Sequence, residues 1–383
     1  MNAARRRVYL AVNDDSLTFN VKELYMRPLP CFLCVAFLLA GVQTGLAAEP
    51  QEGRGVWNHS GTGAYPGDWD RSAKLLSENG FNRIFPNMLW GGVAHYASDV
   101  LPRSETFKKY GDQIEQCCTA AHRHGLEVHV WKVNYNLLNA PKEFVAKMRR
   151  EGRTQVSAKG KSQNWLCPSN PKNQRLELDS MLEVVRKYPV DGLHFDYIRY
   201  PDGNHCYCDG CRRRFEAETG QKVLDENWPG ECSSGPRKQE YRDWRCKQIT
   251  KLVATVSREA KKVRPGIKIS AAVFGAYPGC RESVGQDWVQ WVKDGDLDFL
   301  CPMNYTKDNN EFAGLVRSQM KLVGGRLPIN VGIGATATNI SMQPEDVAEQ
   351  IHLARSLGAA GFALFEFSAK TAETLMPAVR KEH

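Results

Sequence analysis

The sequence predicts a single (β/α)8 barrel, and three observations carry that expectation. Eight apolar, β-branched runs alternate with eight stretches of helical periodicity along 383 residues. Several helical stretches stop at a glycine, as before Gly80, Gly125 and Gly358, where a left-handed residue caps a helix C-terminus. The first strand runs into His59-Ser60-Gly61-Thr62-Gly63 instead of the phosphate-cradling loop of an open doubly wound sheet. The later pair Gly332-Ile333-Gly334 lacks the third glycine of that motif.

Taken in order, the expected strands are Arg54–Ser60, Asn82–Leu89, Glu127–Asn136, Val190–Tyr200, Lys268–Gly275, Asp298–Tyr305, Pro328–Ala335 and Gly361–Ser368. The helices that follow them are Trp69–Asn79, Gln113–His124, Arg175–Lys187, Tyr241–Val263, Trp288–Lys293, Phe312–Val323, Pro344–Leu357 and Thr371–Arg380. Strands two to five start at residues 82, 127, 190 and 268, intervals of 45, 63 and 78 residues. The surplus chain therefore falls in enlarged βα loops after strands two, three and four, on the face where barrels build their sites.

Upstream of the barrel, Arg27 precedes the apolar run Cys31–Gly41 and the small residues Gly45, Ala47 and Ala48. That is the layout of a secretory signal peptide. Residues 1–48 are expected to be an N-terminal extension plus signal peptide, and 49–383 one barrel domain. The apolar run is short for a bilayer, so no stable membrane span is expected after cleavage, and the protein is expected to be secreted or periplasmic. With 42% hydrophobic and 25% charged residues, the composition excludes disorder and collagen-like repeats. The net charge of +8 is spread along the chain, and no run of Lys or Arg exceeds three, which argues against a nucleic-acid partner. Oligomeric state is not encoded in any of these features.

Barrel chemistry projects from the C-terminal ends of strands. Those ends carry Trp57, His59, Asn87, Trp90, Trp131, Asn134, His194, Arg199, Asn304 and Tyr305. Aromatic faces and amide or imidazole side chains suit the CH faces and hydroxyls of sugars, so these ten are the candidate substrate-binding residues. Two carboxylates stand among them, Asp196 and Glu366. Glycoside hydrolysis needs such a pair, one to protonate the leaving oxygen and one to attack or to activate water. Asp196 shares a strand face with His194, while Asp191 lies near the strand start and is read as structural. Glu366 is flanked by Phe365 and Phe367, which favours a raised pKa and the acid's role. Strands four and eight face each other across the mouth, which points to the wider carboxyl separation of inverting enzymes.

Arg54-Gly-Val-Trp57, the block Asp191-Gly-Leu-His-Phe-Asp196-Tyr-Ile-Arg-Tyr-Pro201 and Cys301-Pro-Met-Asn-Tyr305 resemble the glycosyl-hydrolase-like family 10 group from Gly53 to Ser368. The resemblance implies a secreted (β/α)8 glycosidase-type domain acting on O-glycosidic bonds of a poly- or oligosaccharide. The strand-four block is also similar to the chitinase signature, with His194 and Ile198 where that signature has its second acid and its Glu. No cofactor for catalysis is implied. Cys167, Cys206, Cys208 and Cys211 are similar in arrangement to the zinc cluster of one β-galactosidase family, which implies a closed structural Zn2+ site. Disulfides are the alternative, since an exported protein meets oxidising conditions. Two functions follow: a glycoside hydrolase, or a barrel that binds carbohydrate without cleaving it.

Overall fold

A computed structural model describes residues 51–381; the expected extension and signal segment, residues 1–48, lie outside the described residues. Eight parallel strands close into a barrel: β1 (Gly53–Asn58), β2 (Arg83–Trp90), β3 (Glu127–Val133), β4 (Gly192–Asp196), β5 (Lys268–Phe274), β6 (Phe299–Met303), β7 (Asn330–Ile333) and β8 (Gly361–Phe365). Closure comes from β1, which pairs with β2 on one side and β8 on the other, with Trp57 level with Phe365. The ring of main-chain hydrogen bonds leaves the barrel no open edge. Each expected strand is present, most of them shorter than the apolar run that predicted it.

The helices that cover the outer face include α1 (Trp69–Glu78), α2 (Gln113–Arg123), α3 (Pro171–Lys187), α4 (Lys238–Val263), α5 (Trp288–Asp294), α6 (Asn309–Val323) and α7 (Pro344–Ser356). Side chains cap the N-termini of several of them. The Asn170 side chain accepts from Lys172 N–H before α3, and Asp308 accepts from Asn310 and Glu311 N–H before α6. Gly80, Gly125 and Gly358 take positive φ just beyond their helices, as expected.

The period-two alternation of the strands sends Trp57, Phe85, Trp131, Val133, Ala272, Phe299, Cys301 and Ala363 into the lumen, where they pack as one apolar cluster. Below that layer, Glu127 gathers Arg83, Lys268 and His129 at 2.7, 2.6 and 3.1 Å. This ionic plug closes the N-terminal end of the lumen. Asp191 takes the structural role expected of it, accepting from Val128 N–H at 2.7 Å and bonding His122 at 2.8 Å.

The enlarged loops hold structure that periodicity did not disclose. An antiparallel hairpin, Thr154–Val156 with Ser162–Leu166, follows β3, and a helix Asp209–Thr219 follows β4. The hairpin is too short, and its turn Ala158-Lys159-Gly160-Lys161 too polar, to register as an apolar run.

Candidate active site

A cavity of about 820 Å3 sits at the C-terminal mouth of the barrel. Of the residues expected to bind substrate, Trp57, His59, Trp131, Arg199 and Tyr305 line it, together with Asp196. Trp57 forms part of its floor, tilted against Phe365 and edge-on to Tyr305 with ring centres 6.4 and 6.5 Å away. Gly334 makes this arrangement possible: a Cβ there would fall 2.6 Å from the Tyr305 ring. That close approach, and not a bound phosphate, accounts for a glycine at this point of the sequence.

Five of the expected sugar contacts lie outside the cavity lining. Asn134 and Asn304 follow inward-facing Val133 and Met303, so alternation turns them out of the lumen. Asn134 donates to Glu177 of α3 at 2.8 Å, and Asn304 exchanges hydrogen bonds with Gln319 of α6 at 3.0 and 2.6 Å. His194 lies inside the barrel but below the floor, fully buried. It accepts from the Trp57 indole N–H at Nε2 (2.9 Å), so its proton sits on Nδ1 and is donated to Ser270 Oγ at 2.8 Å. Burial holds this imidazole neutral. Asn87 is fully buried and makes no side-chain hydrogen bond among the described residues. Trp90 stays outside the lining and packs edge-on against His59 at 4.5 Å. Proximity to a strand end fixes neither the side of the wall a side chain takes, as Asn134 and Asn304 show, nor its depth in the lumen, as His194 shows.

Asp196 is the acid at the centre of the site. It closes β4, is 6% exposed, and forms no ion pair among the described residues. Its Oδ1 accepts from the Tyr197 main-chain N–H at 2.6 Å. Burial pushes its pKa up to about 6, against the pull of that N–H, of Arg199 and of Trp131. Among the described residues the Trp131 indole N–H makes no hydrogen bond of normal geometry, so it remains a donor beside both the acid and the cavity. Tyr197 has φ +51°, a left-handed conformation that costs a non-glycine residue about 1 kcal/mol and ends the strand one residue after the acid.

Glu366 is half-buried, and burial raises its pKa, although the His59 main-chain N–H works against that. It follows Phe365, which lines the cavity, and does not itself line it. Tyr305 feels both carboxyls: burial first, then the charge of Asp196 and, more weakly, that of Glu366 push its hydroxyl well above its ordinary range. Lys132, a potential partner for Glu366, instead pairs with Glu177 at 3.4 Å. Burial likewise lowers the pKa of His59, leaving it neutral near pH 7.

The cavity is lopsided. Beyond the strand ends its walls come from loops after β5, β6 and β7, through Gly275–Ser283, Thr306, Glu311, Leu315 and Ala337–Ile340. The enlarged loops after β2, β3 and β4 were expected to build the site; of them only Tyr197 and Arg199 line the cavity, and those after β3 and β4 supply the four cysteines of the cluster. Phe274, which the sequence also places at a strand end, is 38% exposed at the rim and offers an aromatic face to the cavity. Its signal was an aromatic at the end of an inward-facing series, Ser270, Ala272, Phe274.

All ten cysteines of the described residues are free, so the disulfide alternative is not realised. The sulfurs of Cys167, Cys206, Cys208 and Cys211 lie within 4.8 Å of one another and are largely buried. Cys167 and Cys211 are 3.4 Å apart, Cys208 and Cys211 3.6 Å, Cys167 and Cys208 4.0 Å. A disulfide needs about 2.05 Å. A tetrahedral ion with metal–sulfur bonds of about 2.3 Å sets sulfur edges of about 3.8 Å. The cluster thus fits a closed structural metal site. Hydrogen bonds from the Cys206, Cys208 and Cys211 thiols hold Cys167 well below the usual thiol range, and Arg214 lies 3.8 Å from its sulfur.

Comparison with known proteins agrees with this architecture. The glycosyl hydrolase-like 10 family matches residues 54–349. Glycosyl hydrolase DigH of Escherichia coli K12 is 25% identical over 263 residues, covering 60% of this chain and 56% of DigH. Glycosyl hydrolase YngK of Bacillus subtilis is 22% identical over 301 residues, covering 70% of this chain and 54% of YngK. The chain therefore spans little more than half the length of these relatives. Among solved structures, the glycoside hydrolase domain of PgaB (BpsB) from Bordetella bronchiseptica superposes with a TM-score of 0.68 at 15% identity, over 86% of this chain and 98% of that domain. A β-galactosidase from Bacillus circulans superposes with a TM-score of 0.60 at 15% identity, over 83% of this chain and 50% of the enzyme. Such likenesses show a shared barrel. The family match covers most of the sequence, and the chain belongs to the glycosyl hydrolase-like 10 family.

Proposed function

We propose that the protein is a glycoside hydrolase that cleaves O-glycosidic bonds of a poly- or oligosaccharide, with Asp196 as its principal catalytic carboxyl. The observation that carries this reading is the environment of Asp196: an acid without an ion pair, on the floor of an aromatic-walled cavity, titrating near 6. A carboxyl poised there can both hold and release a proton near neutrality. Glu366 is the second carboxyl, supported by its raised pKa and by the reach of both acids to Tyr305. Glu311, which lines the cavity, is exposed and bonded by Thr306, and serves as the control. Since β4 and β8 stand opposite each other, the pair leaves room for an attacking water and favours inversion.

The aromatic walls Trp57, Tyr305 and Phe274 suit sugar CH faces, while Trp131 and Arg199 supply donors. The four cysteines hold a structural Zn2+, which would supply no chemistry to the reaction and would tie the loops after β3 and β4 together. Residues 1–48 direct export, placing the protein outside the cytoplasm. No helix among the described residues is long and apolar enough to cross a membrane.

Product analysis over a polysaccharide panel, wild type beside Asp196→Asn, Glu366→Gln and Glu311→Gln, tests this function. Hydrolysis abolished by the first, cut by the second and spared by the third is the expected pattern. Glycan binding without product from the wild type would favour the second reading, a carbohydrate-binding barrel. That reading draws on the absence of Glu366 from the cavity lining.

A further inference from the structure

Trp165 belongs to neither the cavity nor the cysteine cluster, yet it touches what connects them. It sits two residues before Cys167, at the end of the hairpin Thr154–Val156/Ser162–Leu166. The hairpin is fastened to the cluster segment along its length. Val156 N–H donates to Cys206 Sγ at 3.4 Å, Tyr207 N–H to Val156 C=O at 2.7 Å, and Ala158 N–H to Asn204 C=O at 3.0 Å. On its other side, Leu166 N–H donates to Tyr135 C=O at 2.7 Å, just beyond β3.

From that mount the Trp165 indole lies flat on Tyr197, ring centres 5.5 Å apart and 26° from parallel. Tyr197 is the left-handed residue whose N–H holds Asp196. The Arg199 guanidinium rests over the Tyr197 ring at 4.6 Å, over Phe274 at 4.8 Å and over Trp165 at 5.6 Å. Among the described residues its only hydrogen bonds run from one nitrogen to the Tyr200 and Pro201 carbonyls. Three rings around the guanidinium, two of them stacked on each other, thus hold a cation and a strained backbone beside the acid, and one ring is supplied by the clamped hairpin.

We propose that Trp165 is a positioning residue of the sugar site, seated by the four-cysteine cluster, which keeps Tyr197 and Arg199 in the conformation that presents them to the cavity. The role rests on the glycosidase reading for its consequence and on the cluster for its mount. Both can be tested apart from it. A tryptophan that merely filled space would leave the segment from Asp196 to Pro201 unaffected when exchanged for a smaller apolar residue.

The test is hydrogen exchange by mass spectrometry on the full chain. The segment 196–201 reports through Tyr197, Arg199 and Tyr200 N–H, which are bonded to Asp196 Oδ1, Tyr197 C=O and Val284 C=O. Zinc content is measured alongside. Trp165→Leu is expected to keep its zinc and the protection of segment 154–164, while segment 196–201 exchanges at least about tenfold faster. Trp165→Phe, which keeps an aromatic face, is expected to restore protection. Removal of zinc from the wild type by a chelator is expected to loosen both segments together. On a sugar polymer that the wild type cleaves, Trp165→Leu should lower kcat more than it raises KM.

Exchange over 196–201 within twofold of wild type in Trp165→Leu would overturn the proposal. So would a chelator that loosens the hairpin alone. A protein purified without any metal overturns the part assigned to the cluster. A wild type that cleaves no glycan refutes the glycosidase reading and leaves the exchange comparison intact.

Discussion

Replacing Asp196 by Asn should stabilise the protein, and by an amount that depends on pH. In the folded state the carboxyl titrates near 6, against an ordinary 3.8. That difference corresponds to about 3 kcal/mol against the ionised form. The folded pKa is the higher one, so the folded state binds the proton more tightly than the unfolded chain. Stability from this group is therefore complete below pH 3.8, declines as pH rises, and is fully lost above 6. Asn mimics the neutral acid at every pH and can still accept from Tyr197 N–H. A domain of roughly 330 residues unfolds with an entropy of about 0.7 kcal/mol/K, so Asp196→Asn should melt about 4 °C above wild type near pH 8. The advantage should shrink through pH 5 and vanish near pH 4. Scanning calorimetry of both proteins from about pH 4 to 8 measures it directly. A melting difference that ignores pH, or a variant less stable than wild type at pH 8, would refute the claim that a buried, unpaired carboxyl occupies this position.

Four further outcomes follow from the same geometry. Glu366→Gln should remove a pH limb of kcat/KM that lies above the ordinary glutamate value of 4.5, read from a rate profile on the active polysaccharide. Phe274→Ala takes away an exposed sugar platform and should raise KM about fivefold, roughly 1 kcal/mol, in steady-state kinetics. Glu177→Ala strands the buried Lys132 ammonium and should cost about 3–5 kcal/mol, visible as a lower denaturant midpoint at constant slope. Cys211→Ser should abolish stoichiometric zinc by elemental analysis and lower the melting temperature by several degrees.

The barrel was legible because its code is local. Each strand is an apolar run with a turn after it, and each helix shows its period, several with a glycine just beyond the end, so neighbouring residues suffice. The acid at the end of β4 and the aromatic rim were legible for the same reason. Direction across the wall was harder. Asn134 and Asn304 looked like sugar ligands by residue type, although counting in twos from Val133 and Met303 turns them outward. A further clue lay in their partners. Gln319 falls on the same helical face as Phe312, Val316 and Val323, where a polar residue needs a buried mate. The hairpin before Cys167 escaped because three- and five-residue strands carry almost no pattern, and its order comes from contacts distant in sequence. The approach of four sulfurs to one point is likewise a tertiary fact, suggested by Cys206-Tyr-Cys208-Asp-Gly-Cys211 and completed by a cysteine from another loop.

The plug around Glu127 and the acid at the opposite mouth set conflicting demands on the surrounding medium. Burial works to raise the Glu127 carboxyl, but its hydrogen bond to His129 and the charges of Arg83 and Lys268 outweigh it and hold it well below its ordinary 4.5. Acidification through that range therefore withdraws support from the closed end of the cylinder, while alkalinity burdens the open one. Of these two groups' making, the medium in which the molecule endures longest is mildly acid, and a preparation kept there would store best.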